Sequence, residues 1–152
     1  METTKKHDDG SQRPETIAVL DKFLRGELAA AATYERALNH IESPEASTTL
    51  KQNRDSHAAR AVAIAQQIRS RGGEPSESAG PWGVLTKLVE AGASVIGDEA
   101  IVRTLEEGEA KGLRTYETET PRLSDDAAIE IWRHVLGEQQ KTEARMRRLE
   151  LS

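Results

Sequence analysis

With 152 residues, 36% of them hydrophobic but only 3% aromatic, the chain can form one domain whose core is built from Ala, Leu, Ile and Val, a composition suited to closely approaching helices. A formal net charge of -5 leaves no surplus of Lys and Arg to replace counterions, so neither nucleic acid nor a membrane surface is expected as a partner. Cysteine is absent, which removes disulfides and thiolate ligands, and no apolar run approaches the ~20 residues of a bilayer span or resembles a signal peptide, so a cytoplasmic location is expected.

Residues 1–13 carry no periodic apolar positions and read as a disordered tail ahead of a domain spanning 14–152. From Pro14, the positions Ile17, Leu20, Leu24, Ala31, Tyr34, Leu38 and Ile41 recur at spacings of three and four, predicting a helix to about Glu42, with Glu27 on the same stripe. Ser43-Pro44 ends it. A second helix is predicted from Ala46 or Ser47 to Arg71, with Leu50, Arg54, His57, Ala61, Ile64 and Ile68 facing inward, and Gly72-Gly73-Glu74-Pro75 as its stop. The segment from Ser76 to Gly97 contains Trp82, Leu85, Leu88, Val89, Val95 and Ile96, a short helix within a connection long enough to cross the domain.

Asp98 is the expected N-cap of a third helix, whose stripe is Val102, Leu105, Glu109, Gly112 or Leu113, and Tyr116. Pro121 closes it, and Ser124 or Asp125 caps a fourth helix carrying Ile131, Val135, Glu138, Thr142, Met146 and Leu149. Two short connections flanking one long crossover describe an all-α, four-helix bundle. Phosphate loops, nucleophile elbows and His-Glu-x-x-His are missing, so no catalytic or cofactor-binding residue is assigned and the sequence leans away from an enzyme without deciding the point.

One stretch occurs twice, eighty-two positions apart: Gly26-Glu27 with Tyr34-Glu35, and Gly108-Glu109 with Tyr116-Glu117. Each copy sets a carboxylate on a face that should be buried, which costs several kcal/mol unless a metal, cation or proton answers it. Together with His57, Gly72-Gly73-Glu74-Pro75 and Gly80-Pro81-Trp82, this repeat resembles a ferritin-like family of uncharacterised bacterial proteins, over roughly residues 15 to 150. The resemblance implies a ferritin-like bundle, a metal position at Glu27, His57, Glu109 and Glu138, and by analogy a place in stress physiology.

In such bundles two helices each give one Glu and the other two each give Glu-x-x-His. Here the second pair reads Arg54-x-x-His57 and Glu138-x-x-Lys141. Three carboxylates, Glu27, Glu109 and Glu138, would then balance Arg54, Lys141 and a protonated His57 without metal, with the Tyr34 and Tyr116 hydroxyls anchored to the cluster. The expectation is therefore a degenerate di-metal site replaced by a charge network and no cofactor, the alternative being a single iron or manganese ion at Glu27, His57, Glu109 and Glu138 in an oxidase or metal store. Exposed small-residue faces also allow a homo-oligomer.

Overall fold

The computed structural model describes residues 12–79 and 97–149; the predicted tail up to residue 11 and the segment containing Trp82 to Ile96 lie outside them. Among the described residues the chain is all-helical, with four long helices. The first, α1, is Gln12–Leu38. It stops short of the expected Glu42 because the chain turns at Asn39 and His40, where Ile41 N–H still reaches the Ala37 carbonyl at 3.0 Å.

The second helix, α2, is Pro44–Ser70 and starts earlier than expected. Proline suits the first helical position, and the Ser43 hydroxyl caps it by accepting from Ala46 N–H at 3.2 Å. At its far end Gly72 takes φ 81, a left-handed conformation that glycine adopts freely, and Gly73 N–H returns to the Ile68 carbonyl at 3.0 Å. The third helix, α3, is Asp98–Glu119, followed by a 3-10 turn at Thr120–Arg122 that contains Pro121. The fourth, α4, runs continuously as Asp125–Ile131, a π-helical turn Trp132–Leu136, and Gly137–Arg147.

Helix α1 packs along α2 and α3 along α4, with further contact between α1 and α3 and between α2 and α4. Two apolar clusters result. One joins Leu20, Phe23 and Leu24 to Ile64, Ile68, Tyr116, Ile131 and Val135; the other joins Tyr34, Ala37 and Leu50 to Ile101, Val102, Leu105 and Met146. Along every helix the positions between these clusters are polar and buried: Glu27 on α1, Asn53, His57 and Arg60 on α2, Glu109 on α3, Gln139 and Thr142 on α4. No helix among the described residues is long and apolar enough to cross a membrane.

Asp98 does not cap α3. It is the first residue of that helix, whose N-cap is Gly97, and its carboxylate accepts instead from the backbone N–H groups of Glu42 and Ser43 at 2.8 and 2.7 Å. That contact fastens the α1–α2 turn to the start of α3, satisfying backbone donors that no helix could. Asp98→Ala is expected to lower stability by about 1 kcal/mol, read as a lower urea midpoint, with Asp98→Asn recovering part of the loss.

Candidate functional site

The polar layer is organised by one imidazole. His57 Nδ1 lies 2.6 Å from Glu27 Oε2 and Nε2 lies 2.7 Å from Glu109 Oε1, and all three side chains are buried. The remaining carboxylate contacts cross between the repeats: Tyr34, on the helix of Glu27, donates to Glu109 Oε1 at 2.6 Å, and Tyr116, on the helix of Glu109, donates to Glu27 Oε1. Glu109 Oε2 accepts from Gln139 Nε2 at 2.9 Å and from the Thr142 hydroxyl at 2.8 Å. Asn53 Nδ2 donates to the Tyr34 oxygen at 3.1 Å.

An ionised carboxylate oxygen only accepts, so an imidazole facing one at each nitrogen donates from both and carries a positive charge, with Arg60 Nη2 close beside the ring at 2.9 Å from Nδ1 and 3.2 Å from Nε2. Burial alone would lower the pKa of His57, but the charge of Glu27 and the hydrogen bonds to both carboxylates outweigh it and hold the imidazole above its ordinary value. Burial likewise opposes ionisation of Glu27, yet the charges of His57 and Arg60 keep its pKa below the usual carboxylate range. For Glu109, the hydrogen bond and charge of His57, then Tyr34 and Thr142, overcome burial in the same direction. Both tyrosines are pushed well above their ordinary value, by burial first and then by the carboxylate each one faces.

Arg60 supplies the second positive charge. It is 2% exposed, with Nη1 3.4 Å from Glu27 Oε1 and 2.5 Å from Gln139 Oε1, and Nη2 3.1 Å from the Thr142 hydroxyl. Two carboxylates thus meet two cations, and the cluster is neutral. Gln139 relays between the signs, accepting from Arg60 and donating to Glu109. It can do so because position 112 is glycine: a Cβ there would stand 2.9 Å from Gln139 Nε2.

A family model, described as a domain of unknown function (DUF2383), matches residues 15–119, well over half of the chain. The chain belongs to this family. No curated protein matches the chain significantly. The DUF2383 match contains Glu27, Tyr34, His57, Arg60, Glu109 and Tyr116 and ends before Gln139 and Thr142, so it holds both cations and both carboxylates of the cluster.

Three residues expected in the cluster lie elsewhere. Arg54 is on the α2 surface, its side chain 31% exposed and paired with Glu35 at 2.9 Å and Asp55 at 3.1 Å. Glu138 and Lys141, 39% and 63% exposed, pair with each other at 2.8 Å. On α2 the inward positions are Leu50, Asn53, His57, Arg60 and Ile64, alternating by three and four, so the i+3 residue after Leu50 is buried and the i+4 residue Arg54 is not. On α4 the π turn decides. Leu50 precedes His57 by seven residues, whereas Ile131 precedes Gln139 by eight, the wider turn having absorbed one residue and rotated Glu138 outward.

With that residue accounted for, the repeat extends through both halves. Thr33-Tyr34-Glu35 matches Thr115-Tyr116-Glu117 at the same offset of eighty-two, as do His57 and Gln139, Arg60 and Thr142, and Ile64 and Met146. Ahead of the π turn the offset is eighty-one, relating Ser43 to Ser124, Ala46 to Ala127 and Leu50 to Ile131. Asn53, Arg60 and Gln139 are polar residues at inward positions, which apolar periodicity does not find; aligning the two halves points to Gln139 through His57 and to Arg60 through Thr142, whereas Asn53 has no such counterpart.

These residues do not fit the metal position that the ferritin-like resemblance implies. Both ring nitrogens of His57 are engaged by carboxylates, a guanidinium sits beside them, and Glu138 is not with the other three. Among the described residues no group of three or more His, Asp or Glu side chains is disposed to hold an ion.

Removing one partner from a buried ion pair strands the other, so Arg60→Met is expected to cost about 3–5 kcal/mol in urea denaturation. Arg54→Ala, by contrast, should leave the midpoint unchanged. The cluster also sets a pH optimum of stability. The carboxylates titrate below their ordinary value of 4.5 when folded, so their contribution is complete above that pH and lost as the pH falls through the folded pKa. His57 titrates above its ordinary value of 6.5, so its contribution is complete below that pH and lost as the pH rises through the folded pKa. The urea midpoint should peak between these values, and His57→Gln should remove the decline on the alkaline side.

Proposed function

We propose that this chain is a ferritin-like four-helix bundle whose centre is a neutral hydrogen-bonded ion cluster in place of a di-metal site, and that it serves as a structural or interaction module, acting through its surface rather than through chemistry at its core. The observation that carries this reading is Arg60, a buried guanidinium bonded to Gln139 and Thr142 and 3.4 Å from Glu27. The bundle assignment draws support from the duplicated helix pairs and from two inward i, i+3 pairs, His57-x-x-Arg60 and Gln139-x-x-Thr142, standing where ferritin-like sites place Glu-x-x-His.

The charge balance supports a metal-free reading. Two divalent ions need roughly four carboxylates, whereas this cluster offers two and already balances them with two cations. Adding the ions would leave a large uncompensated positive charge in a low-dielectric interior. The cluster also disfavours acid–base or nucleophilic use, because its surroundings stabilise the ionised carboxylates, the protonated tyrosines and the protonated imidazole.

Protein produced in medium supplemented with iron and manganese and purified without chelator is expected to contain neither in stoichiometric amount by elemental analysis. One tightly held ion per chain would overturn the proposal. The converse substitution set, His57→Glu, Arg60→His, Gln139→Glu and Thr142→His, should create cobalt(II) binding visible by absorption spectroscopy if the register is that of a ferritin-like site.

A further inference from the structure

Between α1 and α3 a pocket of about 110 Å³ reaches the ion cluster. Its walls are Ala29, Ala30 and Thr33 on one helix and Gly112 and Thr115 on the other, so the duplicated small residues line it from both sides. The threonines have no proton to offer a ligand: Thr33 donates to the Ala29 carbonyl at 2.7 Å and Thr115 to the Lys111 carbonyl at 3.0 Å, each within its own helix, which leaves their oxygens as acceptors only. The polar part of the lining is the cluster itself, including Glu27, Tyr34, His57, Glu109 and Tyr116.

That lining is asymmetric in its hydrogen bonding. Glu109 is saturated, with His57 and Tyr34 on one oxygen and Gln139 and Thr142 on the other. The Tyr34 oxygen accepts from Asn53. The counterpart of Asn53 in the second half falls in the π turn, and among the described residues no donor reaches the Tyr116 oxygen. Glu27 Oε2 likewise accepts from His57 alone. The Glu27 and Tyr116 side of the lining therefore keeps acceptor capacity that the Glu109 and Tyr34 side has used up.

We infer that the pocket is a binding site for a small neutral molecule with an apolar body and one hydroxyl, a short-chain alcohol or a phenol, whose hydroxyl donates to Tyr116 or Glu27. The inference rests on the cluster being neutral and metal-free. A charged ligand would lose its hydration against a cluster that needs no further charge. Size sets the other limit: an apolar cavity of roughly 150 Å³ accommodates benzene, so this smaller, open-mouthed pocket encloses about four or five non-hydrogen atoms and a phenol ring projects in part through its mouth.

Phenol titrated into the full chain carrying 13C-labelled methyl groups is expected to bind saturably, with a Kd on the order of 1 mM, and to give cross-relaxation to the methyls of Ala29, Ala30, Thr33 and Thr115. Benzene should bind about tenfold more weakly, the loss of one hydrogen bond to a buried acceptor. Gly26→Leu with Ala30→Leu fills the pocket from α1, where a Cβ at Gly26 meets nothing within 4 Å, and should abolish phenol binding without lowering the melting temperature. Absence of saturable binding, equal affinity for benzene, cross-relaxation to other methyls, or binding that survives the filled pocket would each overturn the site; if the double variant fails to fold, the pattern of methyl contacts in the native chain decides. Stoichiometric metal in the purified protein would instead overturn the reading of the cluster, independently of any phenol result.

Discussion

An imidazole held between two buried carboxylates is the constraint from which the rest of this molecule follows. Because each ring nitrogen faces an acceptor, His57 must be positively charged, and because one cation cannot balance two carboxylates, a second is required. Arg60 meets that need and brings donors of its own, which Gln139 and Thr142 accept. Gln139 in turn needs the missing side chain at Gly112 in order to reach Glu109. Each element of the layer thus depends on the one before it, and every long helix contributes at least one member. Lying between two apolar clusters whose packing alone would tolerate sliding, such a layer fixes the axial register of the helices, since each polar group has one complement.

The duplication explains why the layer can be built and why it is not symmetric. The two carboxylates and two tyrosines come from equivalent positions and cross-pair, each tyrosine donating to the glutamate of the other repeat. The helices that complete the layer differ: α2 carries both cations, and α4 carries an amide and a hydroxyl at the matching positions. Glu109, in the second half, is therefore neutralised by a residue of the first. Neither half satisfies its own buried charge, which ties the two helix pairs into one cooperative unit.

Much of this was legible in the chain before any coordinates. The apolar stripes gave four helices, and the repeated Gly-Glu and Tyr-Glu stretches placed Glu27, Tyr34, Glu109 and Tyr116 on inward faces, because a three-and-four spacing persists across them. The cations were misplaced for two physical reasons. On α2 the polar face and the buried face both contain an arginine three residues from His57, and periodicity cannot tell Arg54 from Arg60 when the neighbouring apolar positions tolerate either. On α4 a π turn adds a residue that no uniform helical period accommodates, so the stripe drifts and Glu138 takes the position that belongs to Gln139. The helix termini shifted for local reasons: Ser43 capping and Pro44 at the first turn start α2 early, and Asp98 bonds across to the preceding turn instead of capping its own helix.

The charge state of His57 is the quantity on which the account turns, and nitrogen-detected NMR of the 15N-labelled imidazole at neutral pH reads it directly. Both ring nitrogens should be protonated, each with a proton shifted far downfield by a short hydrogen bond to a carboxylate. A neutral ring with one bare nitrogen, or a nitrogen bound to metal, would contradict the account at its centre.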